Sequence, residues 1–157
     1  DSMLGSGTVV KIYLPASEAA PEPSQKPKDD LMRGSGTVLI IEDEEMIMNL
    51  NRTVLARMGY TVLQARTGRD AVKIAESHAG DIDLIILDLG LPDMPGDKVY
   101  WTIKELRPDL KALIVSGYAL EDSAQDILEA GADAFIQKPF PLSTLTVKLK
   151  ALLGIDK

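Results

Sequence analysis

Three runs of four apolar residues, none broken by a polar position, restrict this chain more than any other feature: Val38-Leu39-Ile40-Ile41, Leu84-Ile85-Ile86-Leu87 and Ala112-Leu113-Ile114-Val115. A strand with one wet face alternates, whereas a strand covered on both faces does not. Two shorter runs, Thr61-Val62-Leu63 and Ala134-Phe135-Ile136, repeat the theme. Helix-spaced apolar residues lie between and after them. Ile47, Leu50, Val54 and Met58 form one stripe, with Gly59 as its C-terminal cap. Ala71, Ile74 and Ala75 mark a second helix, and Val99, Ile103 and Leu106 a third that stops before Pro108. Ala124, Ile127 and Leu128 mark a fourth that ends at Gly131, and Leu142, Leu145, Leu149 and Leu152 a fifth opened by Pro141. Five strand–helix units imply an α/β fold: a five-stranded parallel sheet with right-handed crossovers and helices on both faces, a three-layer αβα sandwich. Five units are too few for an eight-fold barrel.

The remaining residues divide by composition. Residues 5–14 alternate and are β-rich, which reads as one strand after a glycine turn. Pro15, Pro21, Pro23 and Pro27 stand among Ala, Ser, Glu and Lys, a linker composition that cannot build a core. The domain expectation is thus a strand remnant over 1–15, a Pro-rich linker over 16–36 and a folded domain over 37–154. Gly-Ser-Gly-Thr-Val occurs at both 5–9 and 34–38 without extending further, and is read as coincidence. Without cysteine, disulfides and thiolate metal sites are excluded. No apolar run approaches the ~18 residues of a membrane span, and no signal peptide is visible, so the expected location is cytoplasmic with no membrane contact by this segment. A net charge of −7 without a Lys/Arg block argues against nucleic-acid binding.

In open α/β sheets, sites form outside the carboxyl ends of the strands. Glu42 and Asp43 follow the first run, Asp88 the third and Ser116 the fourth, and Lys138 lies two residues past Ile136 in the fifth. Three carboxylates, a hydroxyl and an ammonium are therefore expected on one edge. Crowded carboxylates repel, and a hard divalent cation relieves them; an all-oxygen site with open positions suits Mg²⁺ (or Mn²⁺), which also takes phosphate oxygens. Ser116 and Lys138 would bind and neutralise the remaining phosphate oxygens. A carboxylate in such company can itself be the nucleophile, giving an aspartyl-phosphate. Asp88, alone at its strand end before the turn Leu89-Gly90-Leu91-Pro92, is the best placed.

The segments Ile41-Glu42-Asp43-Glu44, Leu87-Asp88-Leu89-Gly90-Leu91-Pro92 with Gly96, Val115-Ser116-Gly117 and Lys138-Pro139-Phe140 resemble the four signatures of two-component receiver domains, in the family's order and with similar spacing. The resemblance implies the flavodoxin-like strand order 2-1-3-4-5. It implies Asp88 as phosphoacceptor, and Mg²⁺ held by Glu42, Asp43, Asp88 and the backbone carbonyl of Gly90. Ser116 would be the switch hydroxyl, Phe135 the switch aromatic, Lys138 the counter-ion of the phosphoryl group, and Lys138-Pro139 a cis peptide. Glu42 stands where Asp is commoner, and Phe135 lacks the hydroxyl of a Tyr. Gly90 and Tyr118 fall at positions that tune phosphoryl lifetime in the family. Residues 5–15 resemble the last strand of a histidine-kinase ATPase domain. The whole then resembles the C-terminal end of a hybrid sensor histidine kinase, whose parent chain would be the enzyme and is compatible with membrane attachment. The implied partners are a histidine kinase or a histidine phosphotransfer domain; a homodimer is compatible with the sequence. With no output domain expected after Lys157, direct transcriptional control is not expected of this segment.

Two rival functions would use part of the same residue set. A metal-dependent phosphatase with an aspartyl nucleophile would want a second Asp two residues on, and that position is Gly90. A pseudo-receiver that only docks partners would not need the complete acceptor set. Blander roles suit other residues. His78 ends a helix at the surface with no signature around it. Glu44 and Glu45 favour the positive end of their helix. Of the adjacent Tyr100 and Trp101, one faces the core and the other solvent.

Overall fold

The structure is a computed structural model and describes residues 2–3, 7–13, 34–117, 122–129 and 131–154. Two units separate along the chain, Asp1–Asp30 and Leu31–Lys157. In the first, Ser2–Met3 pairs antiparallel with Gly7–Thr8. Of the single strand expected over 5–14, Gly7–Thr8 forms a two-residue strand, residues 9–13 carry no regular structure, with Tyr13 86% exposed, and the rest lies outside the described residues. Alternating apolar residues need a sheet to pair with, and a two-stranded ladder supports only a short pairing. Most of the expected linker, through residue 33, lies outside the described residues.

The second unit holds the five strand–helix repeats: β1 Thr37–Ile41, α1 Glu45–Arg57, β2 Thr61–Ala65, α2 Gly68–Ser77, β3 Leu84–Asp88, α3 Gly96–Leu106, β4 Lys111–Ser116, α4 Asp122–Glu129, β5 Ala134–Gln137 and α5 Leu142–Leu153. The sheet is parallel throughout, in the order β2-β1-β3-β4-β5. Val38, Leu39, Ile40 and Ile41 are all fully buried, as are Leu84, Ile85 and Leu87. The reason is that both faces are covered. Leu39, Ile41, Ile85, Leu87 and Ile114 pack with α2, α3 and Ile127 of α4, while Val38, Ile40, Leu84, Ile86 and Leu113 pack with α1 and α5. Among the described residues no helix is long and apolar enough to cross a membrane.

One stripe is out of phase with the sequence reading. On α1 the buried residues are Met48, Asn51 and Leu55, followed by Met58, whereas Leu50 is 48% exposed. Met46, Ile47, Met48, Leu50, Val54 and Leu55 offer two overlapping apolar stripes. Period alone cannot choose between them; contact with β1 does. Gly59 follows the helix with φ +94, the left-handed position that a C-terminal glycine serves. Pro141 stands at the N-cap of α5 rather than inside it.

Two devices fasten α2. At its C-terminal end the Arg107 guanidinium donates to the carbonyls of Ala75 (2.7 Å), His78 (2.6 Å) and Gly80 (3.0 Å). At its N-terminal end the Thr67 hydroxyl accepts from the Asp70 N–H (3.1 Å), and the Asp93 carboxylate accepts from those of Gly68 (2.8 Å) and Arg69 (3.1 Å). The start of α3 is pressed against Leu89, the residue that follows β3. A Cβ on Gly96 would lie 2.6 Å from the Leu89 Cα, a backbone atom that cannot swing aside. Gly96→Ala is accordingly expected to cost about 2–3 kcal/mol, the upper range of overpacking. Denaturant titration checks this, and a loss under about 0.5 kcal/mol would contradict so tight an approach.

Candidate functional site

The carboxyl edge of the sheet gathers the polar residues. Glu42 immediately follows β1, and its N–H continues the ladder to the Ala65 carbonyl (3.1 Å). Asp88 is the last residue of β3 and Ser116 the last of β4. Lys138 follows β5, held there by its own N–H bonded to the Ser116 carbonyl (2.7 Å). The Lys138–Pro139 peptide is cis.

The Lys138 ammonium bridges two carboxylates, donating to Glu42 Oε2 at 2.8 Å and Asp88 Oδ2 at 2.7 Å. The other Asp88 oxygen, Oδ1, accepts the Gly90 N–H at 3.0 Å, so both oxygens of this carboxylate are oriented. Glu42 Oε1 accepts the Glu44 N–H at 3.3 Å. Glu42, Asp88 and Ser116 are buried, while Asp43 is exposed at the rim. One carboxylate oxygen from each of Glu42, Asp43 and Asp88 lies within 4.8 Å of the others.

Burial pushes the Glu42 carboxyl above its ordinary range; the Lys138 hydrogen bond opposes this and the Asp88 charge adds to it. For Lys138, burial acts to lower the pKa. Its bonds to Asp88 and Glu42, with their charges, outweigh that, and the ammonium is held above its usual value. The site is thus a negatively charged pocket in which Lys138 is the fixed cation among the described residues. It has the hard oxygen donors, brought together at the carboxyl ends of β1 and β3, that a small divalent cation requires, and the donor set fits Mg²⁺.

The structure brings together Glu42, Asp43, Asp88, Gly90, Ser116 and Lys138 at this edge. Phe135 lies elsewhere: it faces Ile114 across the β4–β5 ladder and packs half-buried against the apolar cluster on the α2–α4 side of the sheet. Tyr118 lies outside the described residues. Glu45 pairs with Arg66 at the surface (3.0 Å). Tyr100 faces the core and Trp101 is 42% exposed, one in and one out as their spacing implies. Asp93 belongs to none of the motifs that mark the other site residues. Its carboxyl is held below the usual carboxylate range, first by the Gly68 N–H and then by that of Arg69 against the opposing effect of burial. The only trace in the sequence is an Asp inside a Pro-flanked turn, and nothing there names helix α2 as its partner.

Known sequences and solved structures resemble this chain in family and fold. The family model described as the response regulator receiver domain matches residues 38–150. The sensor kinase CckA of Brucella abortus (strain 2308) is 34% identical over 163 residues, covering 98% of this chain and 17% of the kinase. A CheY-like response regulator receiver domain protein from Methanospirillum hungatei JF-1 superposes with a TM-score of 0.72 at 32% identity, covering 77% of this chain and 95% of that one. The response regulator protein TrrA from Thermotoga maritima, solved in complex with Mg(2+)-BeF, gives 0.65 at 30% identity, covering 75% of this chain and 99% of that one.

Proposed function

This chain belongs to the response regulator receiver domain family of two-component systems, and from that premise we propose that Asp88 takes a phosphoryl group from a phosphohistidine of a histidine kinase or phosphotransfer domain. The observation that carries the reading is the Lys138 bridge: one ammonium lies 2.7 Å from the Asp88 carboxylate and 2.8 Å from Glu42 in a three-carboxylate pocket. An Asp88 oxygen forms the new O–P bond as the P–N bond breaks, and the electron pair of that bond stays on the imidazole nitrogen. Lys138 and Ser116 hydrogen-bond phosphoryl oxygens. Glu42, Asp43, Asp88 and the Gly90 carbonyl hold Mg²⁺ or Mn²⁺, which when bound neutralises charge on those oxygens. Phe135 then serves as the aromatic that follows Ser116 as the domain switches.

An apolar depression lined by Ile47, Leu50, Pro139, Phe140 and Leu142 adjoins Lys138. With Met46 on the same helix 78% exposed, this supports approach of a partner protein along α1. The similarity to the sensor kinase spans nearly all of this chain but 17% of that protein. It supports reading residues 1–15 as the end of a kinase ATPase domain, residues 16–36 as a linker and the parent as a cytoplasm-facing hybrid kinase.

Incubation with acetyl phosphate and Mg²⁺ should add one phosphoryl group by intact mass, mapped to the peptide carrying Asp88 and lost when a chelator precedes the donor. No adduct, or one at another residue, overturns the assignment of Asp88. An adduct of equal yield under chelation overturns the role of the cation.

A further inference from the structure

We infer that Asp93 is a positioning residue for the phosphorylation site: by binding the first turn of α2 it fixes the loop whose Gly90 N–H orients the Asp88 carboxylate. The inference rests on the proposed role of Asp88 and concerns how that role is supported.

Loop 89–95 runs from the acceptor to α3. It is tied at its start, where the Leu89 N–H meets the Val115 carbonyl (3.1 Å), and at its end, where Gly96 abuts Leu89. Between these ties Gly90 bonds Asp88 Oδ1 at 3.0 Å, and Asp93 accepts two N–H groups from α2, at 2.8 and 3.1 Å. Helix α2 already has its own cap, since Thr67 accepts from Asp70 in the arrangement expected of an N-terminal Thr. Asp93 arrives from 25 residues away at Gly68. What it adds beyond a local cap is a fixed distance between the loop and the helix. The surroundings are built to the same dimension. A Cβ on Gly68 would lie 2.4 Å from the Met94 Cγ and 2.5 Å from the Val99 Cγ2, so loop and helix touch where the helix has no side chain. With the middle of the loop pinned, Gly90 has little freedom, and Asp88 keeps Oδ1 on Gly90 and Oδ2 on Lys138. Groups that orient a metal-binding or reacting side chain commonly matter nearly as much as the side chain itself.

The test compares Asp93→Ala and Asp93→Asn with Thr67→Ala, which removes the local cap of the same helix without touching the loop. In the metal-free protein, Asp93→Ala should speed hydrogen exchange of the Gly90 amide about tenfold, and an NMR titration should show Mg²⁺ affinity lower by about tenfold, the low end for outer-shell partners. Acetyl phosphate should label Asp88 correspondingly more slowly. Asp93→Asn keeps one carbonyl acceptor and should fall between. Thr67→Ala should lower Tm with Gly90 exchange and Mg²⁺ affinity unchanged. If Asp93→Ala and Thr67→Ala lower Tm alike and neither moves Gly90 or Mg²⁺, Asp93 is a helix cap only and the inference fails. Should Asp93→Ala not fold, Asp93→Asn decides in the same way. A wild type that labels at Asp88 while the Asp93 variants match it sinks this inference alone; a wild type that takes no phosphoryl group sinks both.

Discussion

Asp88→Asn should take up no phosphoryl group from acetyl phosphate while keeping its fold. The amide has the shape of the carboxylate but no anionic oxygen to attack phosphorus, so the chemistry is removed without opening a cavity. Its carbonyl can still accept from Lys138 or Gly90, and the apolar packing on either side of β3 is untouched. Removing one of three crowded carboxylates also relieves repulsion on Glu42, whose carboxyl the Asp88 charge helps to raise. Metal-free stability should therefore stay within about 1 kcal/mol of wild type, the lost ion pair and the lost repulsion offsetting each other. Mg²⁺ affinity should fall about tenfold or more with the loss of an anionic ligand. Intact mass, a thermal melt and a metal titration separate the three effects. A residual adduct of wild-type yield would move the acceptor elsewhere.

Lys138→Met should be the most destabilising of the site substitutions. Met keeps the apolar stem and deletes the charge, leaving Glu42 and Asp88 buried without their shared ammonium. Breaking a buried ion pair costs about 3–5 kcal/mol. Lys138 is 21% exposed on its side chain, so solvent screening reduces this to about 2 kcal/mol, or about 10 °C in Tm for a domain of this size. The pH dependence has a definite sign. The folded pKa of Glu42 stands above its ordinary value of 4.5 already, and without Lys138 it rises further. A carboxyl raised in the folded state stabilises below its unfolded pKa, and that contribution is lost as pH rises through the folded value. The deficit relative to wild type should thus be small in acid and widen above about pH 4.5. Mg²⁺ should restore more stability to the variant than to wild type, because it replaces the missing positive charge. Phosphoryl uptake should fall about 100-fold, the loss expected on removing one fixed donor to a developing charge. A variant as stable as wild type at neutral pH would show that the bridge contributes nothing net.

The sheet was legible in the sequence because strands such as 38–41 and 84–87 are covered on both faces, which leaves no place for polar alternation. For the same reason the polar residues ending those strands mark the pocket. The face of α1 was not legible. Its two apolar stripes differ by one residue, and only packing against the sheet selects Met48 over Ile47. Alternation in residues 9–13 promised a strand, but a strand is defined by its neighbour as much as by its own side chains. Lys138 was expected to await a phosphoryl group; that it meanwhile bridges Glu42 and Asp88 follows from three-dimensional distances that spacing along the chain does not encode. The grip of Asp93 on α2 is of the same kind.

Asp93 and Arg107 hold opposite ends of one helix, the first from the segment that enters α3 and the second from the residue that ends it. Helix α2 is therefore bolted to the chain flanking α3 at both extremities, which favours movement of the pair as one plate. Tilting either helix alone would break charge-assisted bonds at one end or the other. A domain with such a plate on one side has fewer independent moving parts than its five helices suggest, and rearrangements that leave these bonds intact fall to α1, α4 and α5.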